Sequence, residues 1–172
     1  MKVEIVPYDS KWPALFKKEK EKLTPIFGDN LVAIMHIGST AVPGLNAKPV
    51  IDILPIVKDI AAVDGLNKAM AKLGYLARGE CGIAGRRYFT KGEVTRTHNI
   101  HAFQADNYAP IFRHIAFRNY LRSRPQVAKT YAELKEKLAT LFPGDIEGYM
   151  DGKDAFIKKY EAEAVHWMLK QL

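Results

Sequence analysis

The strongest constraint on this fold is one aspartate inside an apolar run. Two β-branched, apolar segments, 31–37 and 50–57, flank a loop of small and polar residues, and Asp52 is the only carboxylate in either segment. A carboxylate in a strand this apolar loses hydration, so it needs a cation, a metal ion or several hydrogen-bond donors to stay ionised. The pattern therefore predicts two strands, with Asp52 at a candidate functional site.

The loop between these strands has the residue types that bind phosphate. Gly38 lets the backbone come close to a ligand, and the hydroxyls and amides of Ser39 and Thr40 can hold phosphate oxygens. Lys48 adds a positive charge near the start of the second strand. We expect a nucleotide or another phosphorylated small molecule to bind here, with Asp52 contributing from the strand.

A glycine and a serine, followed after twelve residues by an aspartate within a strand, match the start of the nucleotidyltransferase-fold signature. In that superfamily the strand carries two carboxylates in alternation, whereas position 54 of this chain is Leu54. The signature therefore begins here without its second carboxylate.

Five segments together resemble the GrpB family of small bacterial proteins. They are HIGSTAVPGLNAKPVIDI from His36, GRRYF from Gly85, THNIH from Thr97, HIAFRNYLR from His114 and GKDAF from Gly152. The likeness runs from about Val3 to near the C-terminus. It implies a nucleotidyltransferase-like fold.

Residue periodicity predicts an α+β fold with a central mixed sheet, flanking helices and a C-terminal helical layer, in a single domain over 1–172. Apolar spacing predicts a helix that ends at Gly28, a strand that ends near Pro55 to Lys58, and a helix over 60–73. Short strands are expected at 75–77 and 87–90, and a longer one at 96–103. From Tyr108 onward the pattern is helical, with Gly152 as a candidate break.

The formal net charge of +7 favours an anionic partner. Lysines alternate with glutamates in KKEKEK at 17–22 and KEK at 135–137, a pattern typical of a solvated helix face. Arginines concentrate between positions 86 and 124, and arginine suits bidentate recognition of phosphate. Among them Arg87 and Arg118 are candidate phosphate ligands. RNA binding through this segment is less favoured, because the sequence lacks an aromatic and basic surface motif.

The single cysteine, Cys81, excludes an intramolecular disulfide and a cysteine-based zinc cluster. The N-terminal residues contain no apolar core typical of a signal peptide, and no window approaches the roughly 20 apolar residues of a membrane span. These features predict a cytoplasmic protein without a membrane partner. They do not indicate its oligomeric state.

Nucleotidyl transfer normally uses two Mg²⁺ ions held by two or three carboxylates. With Leu54 in the second position, a single-ion site of Asp52, His98 and His101 is an alternative, and histidines favour Zn²⁺ or Mn²⁺ over Mg²⁺. A spacing of three puts the two histidines on opposite faces of a regular strand, so one of them reaches Asp52 unless the strand bulges. Asp52 and His101 are the candidate catalytic residues, with His101 also suited to act as a general base.

Two functions follow from these patterns. The first is a metal-dependent nucleotidyltransferase-like protein that binds a nucleotide and transfers a nucleotidyl group to a small acceptor. The second is a non-catalytic nucleotide- or phosphate-binding module that has lost the second metal-binding carboxylate. A single-metal hydrolase that uses the histidines is a lesser alternative.

Overall fold

Residues 2–172 are described by a computed structural model. Its helices and strands, in chain order, are α1 (Trp12–Phe27), β1 (Leu31–Ile37), β2 (Ile51–Val57), α2 (Asn67–Lys72), β3 (Tyr75–Ala77), β4 (Arg87–Lys91), β5 (His98–Gln104), α3 (Tyr108–Ser123), α4 (Pro125–Leu141) and α5 (Ile146–Leu169). The order of these elements confirms the predicted α+β class.

The five strands form one mixed sheet in the order β1-β2-β5-β4-β3. β2 and β5 run parallel, and the other neighbouring strands run antiparallel. The register places Asp52 opposite Asn99 of β5 and opposite Ile37 of β1. Asp52 therefore lies on an interior strand of the sheet.

The chain forms two compact units. The helical unit comprises residues 2–10, Gly38–Pro49 and Phe112–Leu172, and the sheet unit comprises Lys11–Ile37 and Val50–Ile111. The loop between β1 and β2 thus belongs to the helical unit, while both strands belong to the sheet unit. A single domain over 1–172 stays a prediction.

In the sheet unit, β2 is buried along most of its length, as expected for an interior strand. The strand runs through Pro55 and ends at Val57, within the range from Pro55 to Lys58 that the sequence predicts. Pro55 still pairs with Ile34 of β1, whereas the ladder to β5 has no partner at Leu54 or Pro55. The sheet thus accommodates a residue that lacks a backbone N–H.

The segment after β2 differs from the predicted helix over 60–73. Residues Ala61–Leu66 form a 3-10 turn, and only Asn67–Lys72 are α-helical before Gly74 ends the segment at a φ of 90°. Gly65 lies inside the turn, and glycine lowers helix stability because it loses the most backbone entropy. The apolar spacing identified the buried positions Val63 and Met70 but not the type of helix.

In the helical unit, α5 is continuous through Gly152, so the predicted break is absent. Gly152 lies against Leu138 of α4, and a Cβ on it would overlap a Leu138 methyl carbon. The glycine therefore permits close packing of α4 on α5 rather than ending the helix. Within residues 2–172, no helix has both the length and the apolar character needed to cross a bilayer.

A buried carboxylate links α1 to the edge of the sheet. Glu19 lies in the KKEKEK segment that was predicted to be solvated, yet it is only 3% exposed. Its Oε1 accepts hydrogen bonds from the Tyr75 hydroxyl at 2.8 Å and from Lys91 Nζ at 2.9 Å. Although burial opposes ionisation of Glu19, these two hydrogen bonds and the nearby charges of His98 and Lys91 outweigh it, so its pKa is lowered.

We predict that Glu19→Gln destabilises the protein at neutral pH by about 1–3 kcal/mol, because it weakens the hydrogen bonds of a buried donor, Tyr75, and a partly buried one, Lys91. Since the folded-state pKa of Glu19 is lowered, its contribution is present above the usual glutamate pKa and is lost as pH falls through the folded-state value. Urea denaturation at neutral pH and below about pH 4 measures both effects. Glu21→Gln, an exposed residue of the same helix, is the matched control. Equal stability of the two variants at neutral pH would contradict this role for Glu19.

Candidate functional site

The helical unit contains the glycine–serine loop, residues 38–49. Gly38 has a φ of 75°, a conformation that favours glycine, and residues Ser39–Ala41 form a 3-10 turn directly after it. The Ala41 and Val42 amides donate to the carbonyls of Gly38 and Ser39, both at 3.1 Å. The loop therefore presents the Ser39 side chain from a fixed turn.

A lysine of α4 contacts this turn. Lys135 is 2% exposed, and its Nζ donates to Ser39 Oγ at 3.0 Å and to the Asn46 carbonyl at 2.7 Å. The same Nζ lies 4.6 Å from the centroid of the Tyr131 ring, within the range of a cation–π contact. Because Lys135 was predicted to lie on a solvated face, its burial corrects that expectation.

Further contacts within the helical unit fix the rest of the glycine–serine loop. Arg122 Nε of α3 donates to the Ala41 carbonyl at 2.9 Å, and the Asn46 side-chain amide donates to Glu136 of α4 at 2.7 Å. Val42 and Leu45 are buried in an apolar cluster with neighbours on α3 and α4. Much of the loop is thus packed, and contacts from α3 and α4 hold the turn that presents Ser39.

Two further lysines of the helical unit lie near Lys135. Lys48 Nζ is 5.2 Å and Lys153 Nζ is 5.0 Å from the centroid of the buried Tyr149 ring. Burial, followed by the positive charges of Lys153 and Lys48, lowers the pKa of Lys135 to about 7, with a small opposing effect from Glu136. We call Lys48, Lys135 and Lys153 the lysine cluster. Its electrostatics favour an anion beside Ser39.

In the sheet unit, Asp52 is bound by side chains of β5. Its Oδ1 accepts from Asn99 Nδ2 at 3.2 Å and lies 3.1 Å from His101 Nε2. Arg96 Nη1 in turn donates to Asn99 Oδ1 at 3.1 Å. The structure thus brings the two candidate catalytic residues, Asp52 and His101, into direct contact.

An arginine fixes the other side of the His101 ring. Arg86 is 8% exposed, its Nη1 lies 3.4 Å from His101 Nδ1, and its remaining nitrogens donate to the carbonyls of Glu80 and Cys81. A guanidinium can only donate, so Nδ1 accepts and Nε2–H donates to Asp52. His101 is therefore arranged to orient Asp52, and neither of its ring nitrogens is directed at a substrate as a general base.

The residues around Asp52 do not fit a two-metal centre, which requires at least two carboxylates. Leu54, two residues along β2 and therefore on the same face as Asp52, is fully buried. Across residues 2–172, no three histidine, cysteine, aspartate or glutamate side chains converge in a way that would hold a metal ion.

His98 is not brought to Asp52. It lies on the opposite face of β5 from His101, as the spacing of three predicts. Its Nε2 is 3.9 Å from Glu19 Oε2, and its ring meets the Tyr75 ring edge-on at 6.3 Å. Burial lowers the pKa of His98. The predicted set of Asp52, His98 and His101 is thus divided between two faces of the sheet.

The two candidate arginines have protein partners of their own. Arg87 Nε donates to the exposed Asp64 carboxylate at 2.7 Å, which raises the Arg87 pKa. Arg118 Nε donates to Asn119 at 3.0 Å, and burial, followed by the charge of Arg122, lowers its pKa. Of the other predicted ligand-binding residues, Thr40 is buried in the glycine–serine loop.

Sequence reasoning missed two buried cations, Lys135 and Arg86. Lys135 falls between Tyr131 and Leu138 at helical spacing, so its place on the apolar face of α4 could have been found. Arg86 precedes β4 and has no comparable periodic signal. Its role depends on how the loop at 79–85 folds back over its guanidinium.

Comparison with known proteins gives one family. The family described as GrpB protein matches residues 2–163. The UPF0157 protein YqkA of Bacillus subtilis is 49% identical over 166 residues, which cover 96% of this chain and 48% of that protein. The chain thus spans about half the length of that relative.

Comparison with solved structures gives the same family. The conserved protein GrpB from Enterococcus faecalis is 46% identical, with a TM-score of 0.94 over 96% of this chain and 99% of that chain. A GLD-2/RNP-8 complex is 13% identical, with a TM-score of 0.51 over 77% of this chain and 55% of that chain, a likeness of fold alone. These structures confirm the nucleotidyltransferase-like fold.

More distant relatives include proteins named as enzymes. A dephospho-CoA kinase of Mycolicibacterium paratuberculosis is 28% identical over 190 residues, which cover 96% of this chain and 46% of that protein. The chain therefore matches less than half of that kinase.

We predict that His101 is the Nε2–H tautomer at neutral pH. Nitrogen-15 NMR of the imidazole should show a protonated Nε2 and an unprotonated Nδ1, because the Arg86 guanidinium can only donate to Nδ1. Arg86→Met should move the Nδ1 resonance, whereas Arg87→Met, which removes the ion pair with Asp64, should not. A protonated Nδ1 in the wild type would contradict the arrangement.

We predict that the stability of the wild type relative to Lys135→Met rises as pH increases from about 7 to 10. The Lys135 pKa is about 7 in the folded protein against 10.5 for an ordinary lysine, so in this window the unfolded chain binds more protons. The slope is at most about 1.4 kcal/mol per pH unit. Denaturation of both proteins across this range measures it, and taking the difference removes other titrating groups. A flat difference would contradict the lowered pKa.

Proposed function

The chain belongs to the GrpB family, and on that premise we propose that it binds a nucleotide or another phosphorylated small molecule at the glycine–serine loop. The observation that carries the proposal is the 3.0 Å contact between buried Lys135 and Ser39. The lysine cluster concentrates positive charge beside a serine hydroxyl, and a bound phosphate would offset the mutual repulsion of the lysines.

The packing of the loop supports the same proposal. Ser39 and its neighbours are fixed by α3 and α4 before any ligand binds, through Arg122 at Ala41 and Glu136 at Asn46. A site that is already ordered loses little conformational entropy on binding. The loop is therefore suited to recognise a small anionic group.

The donor set around Asp52 favours binding over two-metal nucleotidyl transfer. Fully buried Leu54 occupies the position in which a second carboxylate would lie. Asp52 Oδ1 accepts a hydrogen bond from Asn99 and lies within hydrogen-bonding distance of His101. Of the two functions set out from the sequence, the binding module without the second carboxylate accords better with these residues. Binding of a divalent cation, Mg²⁺, Mn²⁺ or Zn²⁺, stays a prediction, and the binding experiment tests it.

The relatives guide the choice of ligands to test. The name of the mycobacterial relative, dephospho-CoA kinase, adds coenzyme A and dephospho-coenzyme A to the nucleoside triphosphates. All of these molecules carry phosphate groups that the lysine cluster would attract. The binding measurement identifies which of these molecules the site recognises.

We predict that at least one of these compounds binds saturably in isothermal titration calorimetry and that its affinity falls with added salt. Lys135→Met should weaken binding at least about tenfold, a loss of about 1.4 kcal/mol, because a charge-assisted contact is removed. Lys129→Met, which removes an exposed lysine of the same helix, is the matched control and should leave the affinity unchanged.

Each titration is repeated with Mg²⁺, Mn²⁺, Zn²⁺ and a chelator. Asp52→Asn removes the carboxylate on which the metal prediction depends, and its melting temperature shows whether the fold survives. Binding that persists in the chelator and in Asp52→Asn supports the proposed metal-independent module. Binding that is lost in both favours the metal-dependent transferase, and equal affinities of Lys135→Met and Lys129→Met would refute the site.

A further inference from the structure

Ser39 and Lys135 have the arrangement of a nucleophile with its base. Ser39 is partly exposed, whereas Lys135 lies behind it and is only 2% exposed. Their Oγ and Nζ atoms are 3.0 Å apart, within reach for direct proton transfer. A serine can be activated by an adjacent lysine when that lysine is neutral.

We propose that Ser39 is a nucleophile that Lys135 activates as a general base, and that the pair transfers phosphoryl groups without a metal ion. This goes beyond binding, because it assigns a reaction to the same loop. It rests on the proposed function in one respect only, since Lys48 and Lys153 are the groups that would attract the phosphate of a natural substrate.

The hydrogen bonds of Lys135 permit this proton transfer. As an ammonium group, Nζ donates to Ser39 Oγ and to the Asn46 carbonyl. A neutral amine keeps the donation to Asn46, at 2.7 Å, and its lone pair can then accept the Ser39 hydroxyl proton over the same 3.0 Å. The Asn46 carbonyl therefore orients the amine toward the serine in both states.

The surroundings of Lys135 favour the neutral form. Burial has the largest effect, Lys153 and Lys48 add positive charge, and Glu136 opposes them. The Tyr131 ring, whose centroid lies 4.6 Å from Nζ, also opposes them, because a cation–π contact favours the ammonium form. With a pKa of about 7, a large fraction of Lys135 is neutral at physiological pH.

The substrate class is a phosphate ester or anhydride. Ser39 Oγ forms a bond to phosphorus, the bond from phosphorus to the leaving oxygen breaks, and that oxygen departs with the electron pair. The Ser39 proton moves to Lys135 Nζ, which can return it to the leaving group. Water or an acceptor hydroxyl then attacks the phosphorus of phosphoserine, and the bond from phosphorus to Ser39 Oγ breaks. The proton of the attacking group passes to Lys135 and from there to the departing Ser39 Oγ, which restores both residues.

Diisopropyl fluorophosphate tests the pair directly, because it phosphorylates activated serines and is itself uncharged. Peptide mapping should place the adduct on Ser39, and the labelling rate should rise with pH around a midpoint near 7. Ser39→Ala should abolish the adduct. Ser123→Ala, which changes a serine that only caps α3, should leave it unchanged.

Lys135→Arg separates a base from a structural cation. A guanidinium can still donate to Ser39 and Asn46, but it does not deprotonate, so labelling should fall at least about 100-fold. Lys153→Met, with Lys135 intact, should move the midpoint to higher pH because a neighbouring positive charge is lost. This second variant tests the base even where Lys135→Arg fails to fold.

Labelling confined to other residues, unchanged labelling in Lys135→Arg, or an unmoved midpoint in Lys153→Met would overturn the proposal. The reagent has no charge, so its reaction does not depend on the anion site. Labelling without nucleotide binding would support the reactive pair and refute the proposed function. Nucleotide binding without labelling would support the proposed function and refute the reactive pair.

Discussion

The contact on which the proposed site depends is the hydrogen bond between a buried lysine and a serine on a glycine turn. A buried ammonium group is costly unless carbonyl or hydroxyl oxygens surround it, and Lys135 has two such partners, Ser39 and the Asn46 carbonyl. Both partners lie in the loop between β1 and β2. The lysine therefore fixes the loop and makes its surroundings positive at the same time.

The sheet unit contains the opposite arrangement, a carboxylate held by neutral hydrogen-bond donors. Asp52 is bound by Asn99 and His101, and Arg86 fixes the far side of the imidazole. In nucleotidyl transfer such a carboxylate would share metal ions with a second one, which Leu54 cannot supply. The contacts of Asp52 thus favour a fixed polar network over a two-metal centre.

Most of the fold could be predicted from local pattern. The strands around Asp52 were evident because β-branched runs flank a glycine–serine loop, and α1 ends at Gly28 as expected. The short turn at 61–66 was missed because helices of both types place apolar residues at similar spacing. The prediction that only one histidine reaches Asp52 followed from strand alternation alone, and the structure shows that it is His101.

The site was less predictable, because its charged members lie far apart in sequence. Lysine and glutamate in KEK and KKEKEK indicate solvated faces. Lys135 and Glu19 are nevertheless buried, because residues from distant segments form hydrogen bonds with them. The pattern of a single sequence indicates which face of a helix is apolar. It does not indicate which hydrogen-bond partners a distant loop provides for a charged side chain on that face. Arg86 illustrates the same limit in the sheet unit.

The most direct measurement is an NMR titration of the Lys135 side chain, assigned by comparison with Lys135→Met, in the free protein and with inorganic pyrophosphate. We expect a pKa of about 7 in the free protein and a higher value with pyrophosphate, because an added anion stabilises the ammonium form. A pKa near the ordinary 10.5 that pyrophosphate leaves unchanged would contradict this expectation.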